Sequence, residues 1–320
     1  MKRYDSRIVF LLFLVLASSI CSKNPGNTES PEKSKPIDLS QFKPNVSFHG
    51  KIVFQSDLGG HNEIYLLTGQ GLKKLTDNPW KSEYPQWSPD GRKIAFTANP
   101  KGNYDIFEMD ENGSNVTPVT DSPRDEIEMA WFPDQKKIAY TELKKTGIFK
   151  HYKLWMIDLL TKKKEEIIPG FPGSSALPNF SSRLPLMAFT GGRRAGWDVF
   201  IFKFENKEYA ALVEGGKSCR PHFSPNGDKI AYVSSRADGK GDIWLMNPDG
   251  SGQTRLTERN ETYDYFPAWS PDGKSVLFCS NAKGHYAYEG DWSLYLVDLD
   301  TKKTSLLLDT PGRDVFPDWH

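Results

Sequence analysis

Side chains that could do chemistry are common in this sequence, but they are scattered along it. The six histidines stand far apart, and none belongs to a His-Glu-x-x-His pair, which would place two zinc ligands on one helix face. The sequence has no Gly-x-Ser-x-Gly nucleophile elbow, Cys-x-x-Cys pair or glycine-rich phosphate loop. Residues 110–115, Asp-Glu-Asn-Gly-Ser-Asn, match a calcium loop only in part and fit a hairpin turn better. We therefore predict no catalytic residue, no metal site and no cofactor.

Aspartate recurs at one position of a repeated segment. Asp105, Asp198 and Asp242 each begin a short run of apolar residues. The three carboxylates could form a ring. Their regular recurrence at the start of a strand favours a structural role instead, a hydrogen bond from each carboxylate to a neighbouring loop.

These segments belong to a repeat that occurs six times. The clearest copies are residues 84–96, Tyr-Pro-Gln-Trp-Ser-Pro-Asp-Gly-Arg-Lys-Ile-Ala-Phe, and residues 266–278, Phe-Pro-Ala-Trp-Ser-Pro-Asp-Gly-Lys-Ser-Val-Leu-Phe. Three weaker copies follow the same pattern, and the sixth is divided between residues 51–54 and 316–319. A period of about 40–50 residues with four strands is typical of a propeller blade. The anchoring aromatic residues, 43 to 50 positions apart, are Trp87, Trp131, Phe180, Phe223, Trp269 and Trp319.

Each copy reads as one small antiparallel sheet of four strands. Ser88-Pro-Asp-Gly91 fits a type I turn, and Asn112-Gly113 supplies the positive φ of a hairpin. Alone, such a sheet could not bury its faces, but sheets stacked radially can. In the second copy we predict strands over residues 84–87, 93–98, 105–109 and 117–120.

The divided copy predicts how the ring closes. The front of the domain supplies three strands of one blade, and the last residues supply its first strand. We therefore predict an all-β, six-bladed β-propeller over residues 49–320, closed by pairing of the C-terminal strand with the N-terminal blade. A β-sandwich with regular turns is the alternative, but it predicts neither the period nor the divided copy.

The first residues have the pattern of an export signal. Lys2, Arg3 and Arg7 precede an apolar run, residues 8–16, that is too short to span a bilayer. Residues 1–20 are therefore predicted to be a signal peptide. Processing before Cys21 would give a lipid-anchored N-terminus, whereas cleavage after Ser19 would leave Cys21 incidental. We predict lipidation at Cys21 and a disordered tether over residues 21–48, because the polar stretch after Cys21 cannot bury apolar area.

Two further cysteines lie in neighbouring blades. Cys219 precedes an anchoring aromatic residue of the fifth copy, and Cys279 ends a strand of the sixth. An exported protein permits a disulfide bond between them. Two semi-buried free thiols are the alternative, and the sequence does not decide between the two.

The repeat resembles the WD40-like repeat of TolB-type β-propellers, in its Trp-Ser-Pro-Asp-Gly block, its Asp-Ile-Trp-Leu-Met strand (residues 242–246) and its Arg-Leu-Thr ending (residues 255–257). The resemblance covers residues 49–320, without the α/β domain that precedes the propeller of TolB. It implies a cell-envelope protein in the periplasm or outer membrane. Prolyl oligopeptidases carry the same repeat beside a hydrolase domain. Oligogalacturonate lyases, on a related propeller, hold a metal with His and Gln side chains, and His222 and Gln86 occupy equivalent positions of two blades here.

Binding residues are expected at one end of the propeller. The connections at one end are short and uniform, whereas those at the other end differ from blade to blade, and variable loops on a rigid scaffold carry binding groups. Aromatic and arginine side chains contribute most to binding energy. The candidate residues on this loop face are Trp80, Tyr84, Arg124, Arg194, Trp197, Arg220, His222, Tyr263, Tyr265, Tyr286, Arg313 and Asp314.

Charge and motifs limit the choice of partner. The chain of 320 residues has 41 basic and 41 acidic side chains, which gives no basic excess for nucleic acid. We expect a monomeric, non-enzymatic binding or scaffold protein that presents its loop face to a protein or peptide of the cell envelope. A carbohydrate-binding propeller, or a metal-dependent carbohydrate-cleaving one, is the alternative. A structural envelope protein without a discrete ligand is a third.

Overall fold

The computed structural model describes residues 37–146, 149–193, 196–259, 261–281 and 291–320. It contains six four-stranded antiparallel sheets. The innermost strands of neighbouring sheets contact one another in a closed cycle, so the sheets are the six blades of a propeller. The predicted fold class is confirmed.

The blades are numbered in chain order, and their strands run from the axis outwards. Blade 1 contains β24 (Val315–Trp319), β1 (Ile52–Ser56), β2 (Glu63–Thr68) and β3 (Gly71–Lys74). Blade 2 contains β4 (Ser82–Trp87), β5 (Lys93–Ala98), β6 (Asp105–Asp110) and β7 (Thr117–Pro118). Blade 3 contains β8 (Asp125–Trp131), β9 (Lys137–Thr146), β10 (Phe149–Asp158) and β11 (Lys164–Glu166).

The second half of the ring follows the same order. Blade 4 contains β12 (Ser174–Phe180), β13 (Leu186–Arg193), β14 (Gly196–Lys203) and β15 (Glu208–Val213). Blade 5 contains β16 (Ser218–Phe223), β17 (Ile230–Ser234), β18 (Asp242–Met246) and β19 (Thr254–Arg255). Blade 6 contains β20 (Tyr263–Trp269), β21 (Ser275–Asn281), β22 (Trp292–Asp298) and β23 (Thr304–Leu308).

The ring closes as the divided repeat predicts. Strand β24 pairs antiparallel with β1, with Ile52 opposite Trp319 and Val53 opposite Asp318. Backbone hydrogen bonds join Lys51 and His320 in both directions, at 2.6 and 2.9 Å. Blade 1 is therefore built from both ends of the described chain.

Residues before position 49, where the propeller was predicted to begin, already contact the propeller. A short 3₁₀ helix, Leu39–Gln41, begins at Asp38, whose carboxylate caps it, and Asn45 donates a hydrogen bond to Leu307 O at 2.8 Å. Leu39 and Phe42 pack against the main hydrophobic cluster. Residues 37–48 of the expected tether thus lie against the propeller, and residues 1–36 lie outside the described residues.

The repeated motifs have structural roles. Ser88 Oγ accepts from Lys93 N and donates to Asp90, which fixes the first turn, and the anchor Trp87 is 6% exposed. Asp105 accepts from the backbone amide of Ser122, and Asp198 accepts from that of Gly216, each in the loop that leads to the next blade. The hydrogen-bond interpretation of the repeated aspartates is therefore confirmed for these two blades.

The two cysteines of the propeller are free thiols, and both are buried. Burial raises the pKa of Cys279 well above its usual value, and the nearby Asp314 carboxyl adds to this effect. No helix among the described residues has the length and apolar character needed to cross a membrane.

Candidate functional site: the axial cavity

A cavity lies on the propeller axis, between the six inner strands. Its volume is about 100 Å³, which is below the range of pockets for drug-sized ligands, roughly 300–1,000 Å³. Every blade contributes to its wall. The wall includes one residue from the same position of each inner strand, and these six residues, called here the axial ring, are Tyr84, Glu128, Leu177, Arg220, Phe266 and Phe316.

Each axial-ring residue owes its position to a bulge in its strand. All six have φ between 52° and 57°, in the left-handed region. Pairing with the second strand shifts register at this point in every blade. In all blades except the third, the next residue is proline, which cannot donate to a strand ladder and is accepted in sheets at edges and bulges. The bulge turns one side chain per blade towards the axis.

Three aromatic residues form one side of the ring. The centroids of Tyr84 and Phe316 are 4.3 Å apart, and those of Phe316 and Phe266 are 4.1 Å apart. The guanidinium carbon of Arg220 lies 4.5 Å from the Phe266 centroid, within the range of a cation–π contact. An apolar arc therefore ends at a buried positive charge.

The charged members of the ring are both buried. Glu128 is 6% exposed and Arg220 is 8% exposed. Burial raises the pKa of Glu128, and the positive charge of Arg220 opposes that rise. The Thr141 hydroxyl hydrogen-bonds to the carboxyl group, whereas Oε2 has no hydrogen-bond partner among the described residues. The cavity wall thus holds one buried acceptor with unused capacity.

A second polar pair lies nearer the anchoring residues. His222 Nε2 is 3.9 Å from Asp318 Oδ1, and Asp318 Oδ2 accepts from Trp87 N at 2.7 Å. Burial lowers the pKa of His222 to about 4 and raises the pKa of Asp318 to about 6. His222 is therefore neutral at physiological pH.

Three of the predicted binding residues meet at this cavity: Tyr84, Arg220 and His222. Others have structural contacts. Trp197 packs against Tyr152, with centroids 6.0 Å apart. Asp314 is fully buried and accepts from Thr310 Oγ1 at 2.9 Å. Tyr265 is buried and packs against Trp292.

The remaining candidates are spread around the loop face. Arg124 pairs with Glu142 at 2.5 Å, and Arg313 Nε pairs with Asp57 at 2.7 Å. Trp80 is partly buried against a hydrophobic cluster that blades 1 and 2 share, and Lys240 Nζ lies 6.0 Å from the centroid of the Tyr263 ring. Arg194 and Tyr286 lie outside the described residues.

Sequence reasoning missed four members of the axial ring: Glu128, Leu177, Phe266 and Phe316. A signal was present, because each of the six stands three residues before an anchoring aromatic residue. Aligning the copies on their anchors and reading that column would have found the ring. His222 and Gln86, the pair implied by the resemblance to the lyases, both line the cavity. In the described ranges, however, no three His, Cys, Asp or Glu side chains converge to hold a metal ion.

Known proteins share this sequence pattern and fold. Dipeptidyl-peptidase 5 of Porphyromonas gingivalis is 26% identical over 261 residues, which cover 74% of this chain and 35% of that protein. The Protein TolB homolog of Chlorobium luteolum is 30% identical over 129 residues, 40% of this chain and 27% of that protein. This chain spans 27 to 43% of the length of four curated relatives that it matches.

Solved structures share the fold at low identity. TolB from Acinetobacter baumannii superposes with a TM-score of 0.68 and 18% identity, covering 86% of this chain and 67% of that one. Oligogalacturonate lyase from Vibrio parahaemolyticus gives a TM-score of 0.52 and 14% identity, covering 84% and 75%. The family model of the TolB beta propeller domain matches residues 27–149 and 109–288. This chain therefore belongs to the TolB β-propeller family.

Proposed function

We propose that this propeller is a non-enzymatic binding module of the bacterial cell envelope, which presents its loop face and axial cavity to a protein or peptide. The observation that carries the proposal is the axial ring, in which an aromatic arc and two buried charges surround a cavity of about 100 Å³. A cavity of this size admits one or two side chains of a polypeptide. Aromatic and arginine side chains are the usual centres of binding energy at protein interfaces.

The proposal includes export and anchoring. The basic residues and apolar run before Cys21 support a signal peptide, and the polar stretch after Cys21 supports a tether to a lipid-modified N-terminus. A tethered propeller would meet partners within reach of the membrane surface. The similarity to a TolB homolog and to TolB is consistent with this location.

Photocrosslinking in intact cells tests the proposal. A photoreactive amino acid replaces Lys101 or Lys145, two exposed residues at the loop-face ends of blades 2 and 3, or Leu160 and Asp300, two exposed turn residues at the opposite end. We expect a discrete crosslinked protein from the loop-face positions alone. In the same cells, Cys21→Ser is expected to move the protein from the membrane to the soluble fraction. Equal crosslinking from both ends would contradict the binding proposal, and an unchanged membrane fraction would contradict lipidation.

A further inference from the structure

We propose that the axial cavity recognises a side-chain carboxamide, that of glutamine or asparagine, on the bound polypeptide. This inference rests on the proposed function, since it names the group that the cavity accepts. Three properties of the axial ring lead to it: an unused acceptor, balanced charge and apolar walls.

The unused acceptor requires a donor from the guest. Glu128 Oε2 is buried, and no described residue hydrogen-bonds to it. Leaving such a group unsatisfied costs about 1–3 kcal/mol, and more for a charged group. Thr141 hydrogen-bonds to the carboxyl group and itself accepts from Leu177 N at 3.2 Å, so the acceptor is already oriented before a guest arrives. A guest that brings an N–H group into the cavity would satisfy it.

The balance of charge favours a neutral donor over a cation. Arg220 lies in the same ring as Glu128, two blades away, and its positive charge acts on the Glu128 carboxyl group. His222 adds no charge at neutral pH, because burial keeps it deprotonated. A lysine or arginine guest would gain attraction from Glu128 and lose it again through repulsion by Arg220. A carboxamide carries no net charge.

The apolar walls select for a short polar tip on an apolar stem. Pro85, Pro178 and Pro221 line the cavity beside the aromatic arc. The proline and aromatic surfaces offer few groups that could replace the water lost by an ion. A glutamine side chain would place its methylene groups against these walls and its amide against Glu128 and Arg220. Its N–H group would donate to Glu128, and its carbonyl could accept from the guanidinium.

Binding of capped tripeptides tests the inference on the whole protein. The probes are acetyl-Gly-X-Gly-amide peptides with X as Gln, Leu, Lys or Glu, titrated by NMR. We expect the Gln peptide to bind about tenfold more tightly than the Leu peptide, as one additional hydrogen bond would give. Tightest binding of the Lys peptide would overturn the inference, as would equal binding of the Gln and Leu peptides. This comparison needs no variant.

Glu128→Gln gives a second, independent test. The hydroxyl of Thr141 would hold the new side-chain oxygen, and the new NH₂ group would face the cavity. We therefore expect the Gln-over-Leu preference to disappear and the Glu peptide to bind more tightly than in the wild type. Glu208→Gln, on the exposed outer strand of blade 4, is the matched control. It should change neither the Gln-over-Leu preference nor the affinity for the Glu peptide. A Gln preference that survives Glu128→Gln would refute the role of Glu128.

The two proposals fail in different ways. If no tripeptide shows the expected preference but loop-face crosslinking persists, the carboxamide inference is wrong and the binding function stands. If crosslinking is absent while the Gln preference and its loss in Glu128→Gln are observed, the cavity is a carboxamide site and the proposed partner interaction is wrong.

Discussion

The left-handed residues of the axial ring are held by the preceding blade. The side chain of Gln55 accepts from Tyr84 N at 3.2 Å, and Thr190 Oγ1 accepts from Arg220 N at 2.9 Å. Thr141 Oγ1 accepts from Leu177 N at 3.2 Å. Non-glycine residues in this region cost about 1–3 kcal/mol each and persist where the surroundings fix them. The ring side chains are thus preorganised by contacts between blades.

Burial with no ion-pair partner among the described residues makes Asp314 a source of pH-dependent stability. It is fully buried, and burial raises the pKa of its carboxyl to about 8, with the nearby Asp309 adding to the rise and Ser56 and Thr310 opposing it. The folded state therefore binds a proton that the unfolded state releases above a pKa of about 4. The stability that comes from this proton is complete below pH 4 and is lost as the pH rises towards 8.

Asp314→Asn should remove this part of the pH dependence. Between pH 5 and 7 the wild-type free energy of unfolding should fall by up to about 1.4 kcal/mol per pH unit because of this group, and the variant should show a slope smaller by that amount. Urea denaturation at several pH values measures both slopes. Asp300→Asn, in an exposed turn, should keep the wild-type slope. Parallel curves for wild type and Asp314→Asn would show that Asp314 is not protonated in the folded protein.

At the residue scale, prediction from the sequence succeeded for residues that recur at a fixed position of the repeat. The buried anchors Trp87 and Trp269 and the structural Asp105 were identified, because each recurs at a fixed place in the copies. Burial of Asp314 and Tyr265 was not identified. Both stand in loops or at strand starts that differ between copies, where nothing in a single sequence distinguishes a side chain that faces solvent from one that fills the space under a neighbouring loop.

The turn between the first two strands has the same backbone conformation in blades 2, 3, 5 and 6. In three blades the turn places glycine at positive φ: Gly91 at 68°, Gly227 at 74° and Gly273 at 71°. In blade 3 the same position is occupied by Gln135, at φ 59°. Its amide still donates to Phe132 O at 2.9 Å, so the turn is kept despite the side chain. The third copy of the repeat is therefore weaker in sequence but equal in structure.

Gln135→Gly should stabilise the protein. A left-handed conformation costs a non-glycine residue about 1–2 kcal/mol. The greater freedom of glycine in the unfolded chain and the loss of the hydrogen bond from the Gln135 amide to Asp90 offset much of this, so we expect a gain of no more than about 0.5 kcal/mol. Thermal and urea unfolding measure it. Gly273→Gln is the matched control, because a Cβ there would meet only Pro225, at 3.9 Å. This variant should lower the free energy of unfolding by a similar amount. Equal stability of the wild type and both variants would mean that this turn stores no strain.

The sequence predicted the number of strands correctly, but their first and last residues only approximately. The predicted second copy has all four strands, but β4 begins two residues earlier than expected and β7 ends two residues earlier. On the loop face, blades 3 and 4 carry extended hairpins, an example of the variation from blade to blade that was expected there. Strands β9 and β10 each continue for ten residues, and β13 and β14 for eight. Pairing between strands set these lengths, and a single sequence does not record it.

At the scale of the whole molecule, closure of the ring positions the axial cavity. Strand β24 supplies Phe316 to the axial ring, and its Asp318 accepts from Trp87 N in blade 2. Trp319 Nε1 donates to His49 O at 2.7 Å, and its ring meets Phe48 edge-on at 5.8 Å. The six residues from Val315 onwards therefore connect blade 1, blade 2 and the segment before β1. Closure was predictable from the divided repeat, whereas the cavity required the six inner strands to be placed together.

Deletion of residues 315–320 should both open the ring and abolish the axial cavity. The deletion removes the partner of β1 and leaves its edge free to pair with other molecules. It also removes Phe316 and Trp319, whose rings pack against Tyr84, Phe266 and Phe48. We expect a lower and less cooperative thermal transition, with oligomers detected by size-exclusion chromatography with light scattering.

A peptide of residues 313–320, added in excess to the truncated protein, tests whether the defect comes from the missing strand or from a general loss of stability. It should restore the monomer and the wild-type transition by occupying the place of β24, and a scrambled peptide should not. Because Phe316 returns with the peptide, the preference for the Gln tripeptide should return with it. A truncated protein that melts like the wild type would show that the divided blade does not close the ring. Rescue by the scrambled peptide would show that the peptide acts without pairing to β1.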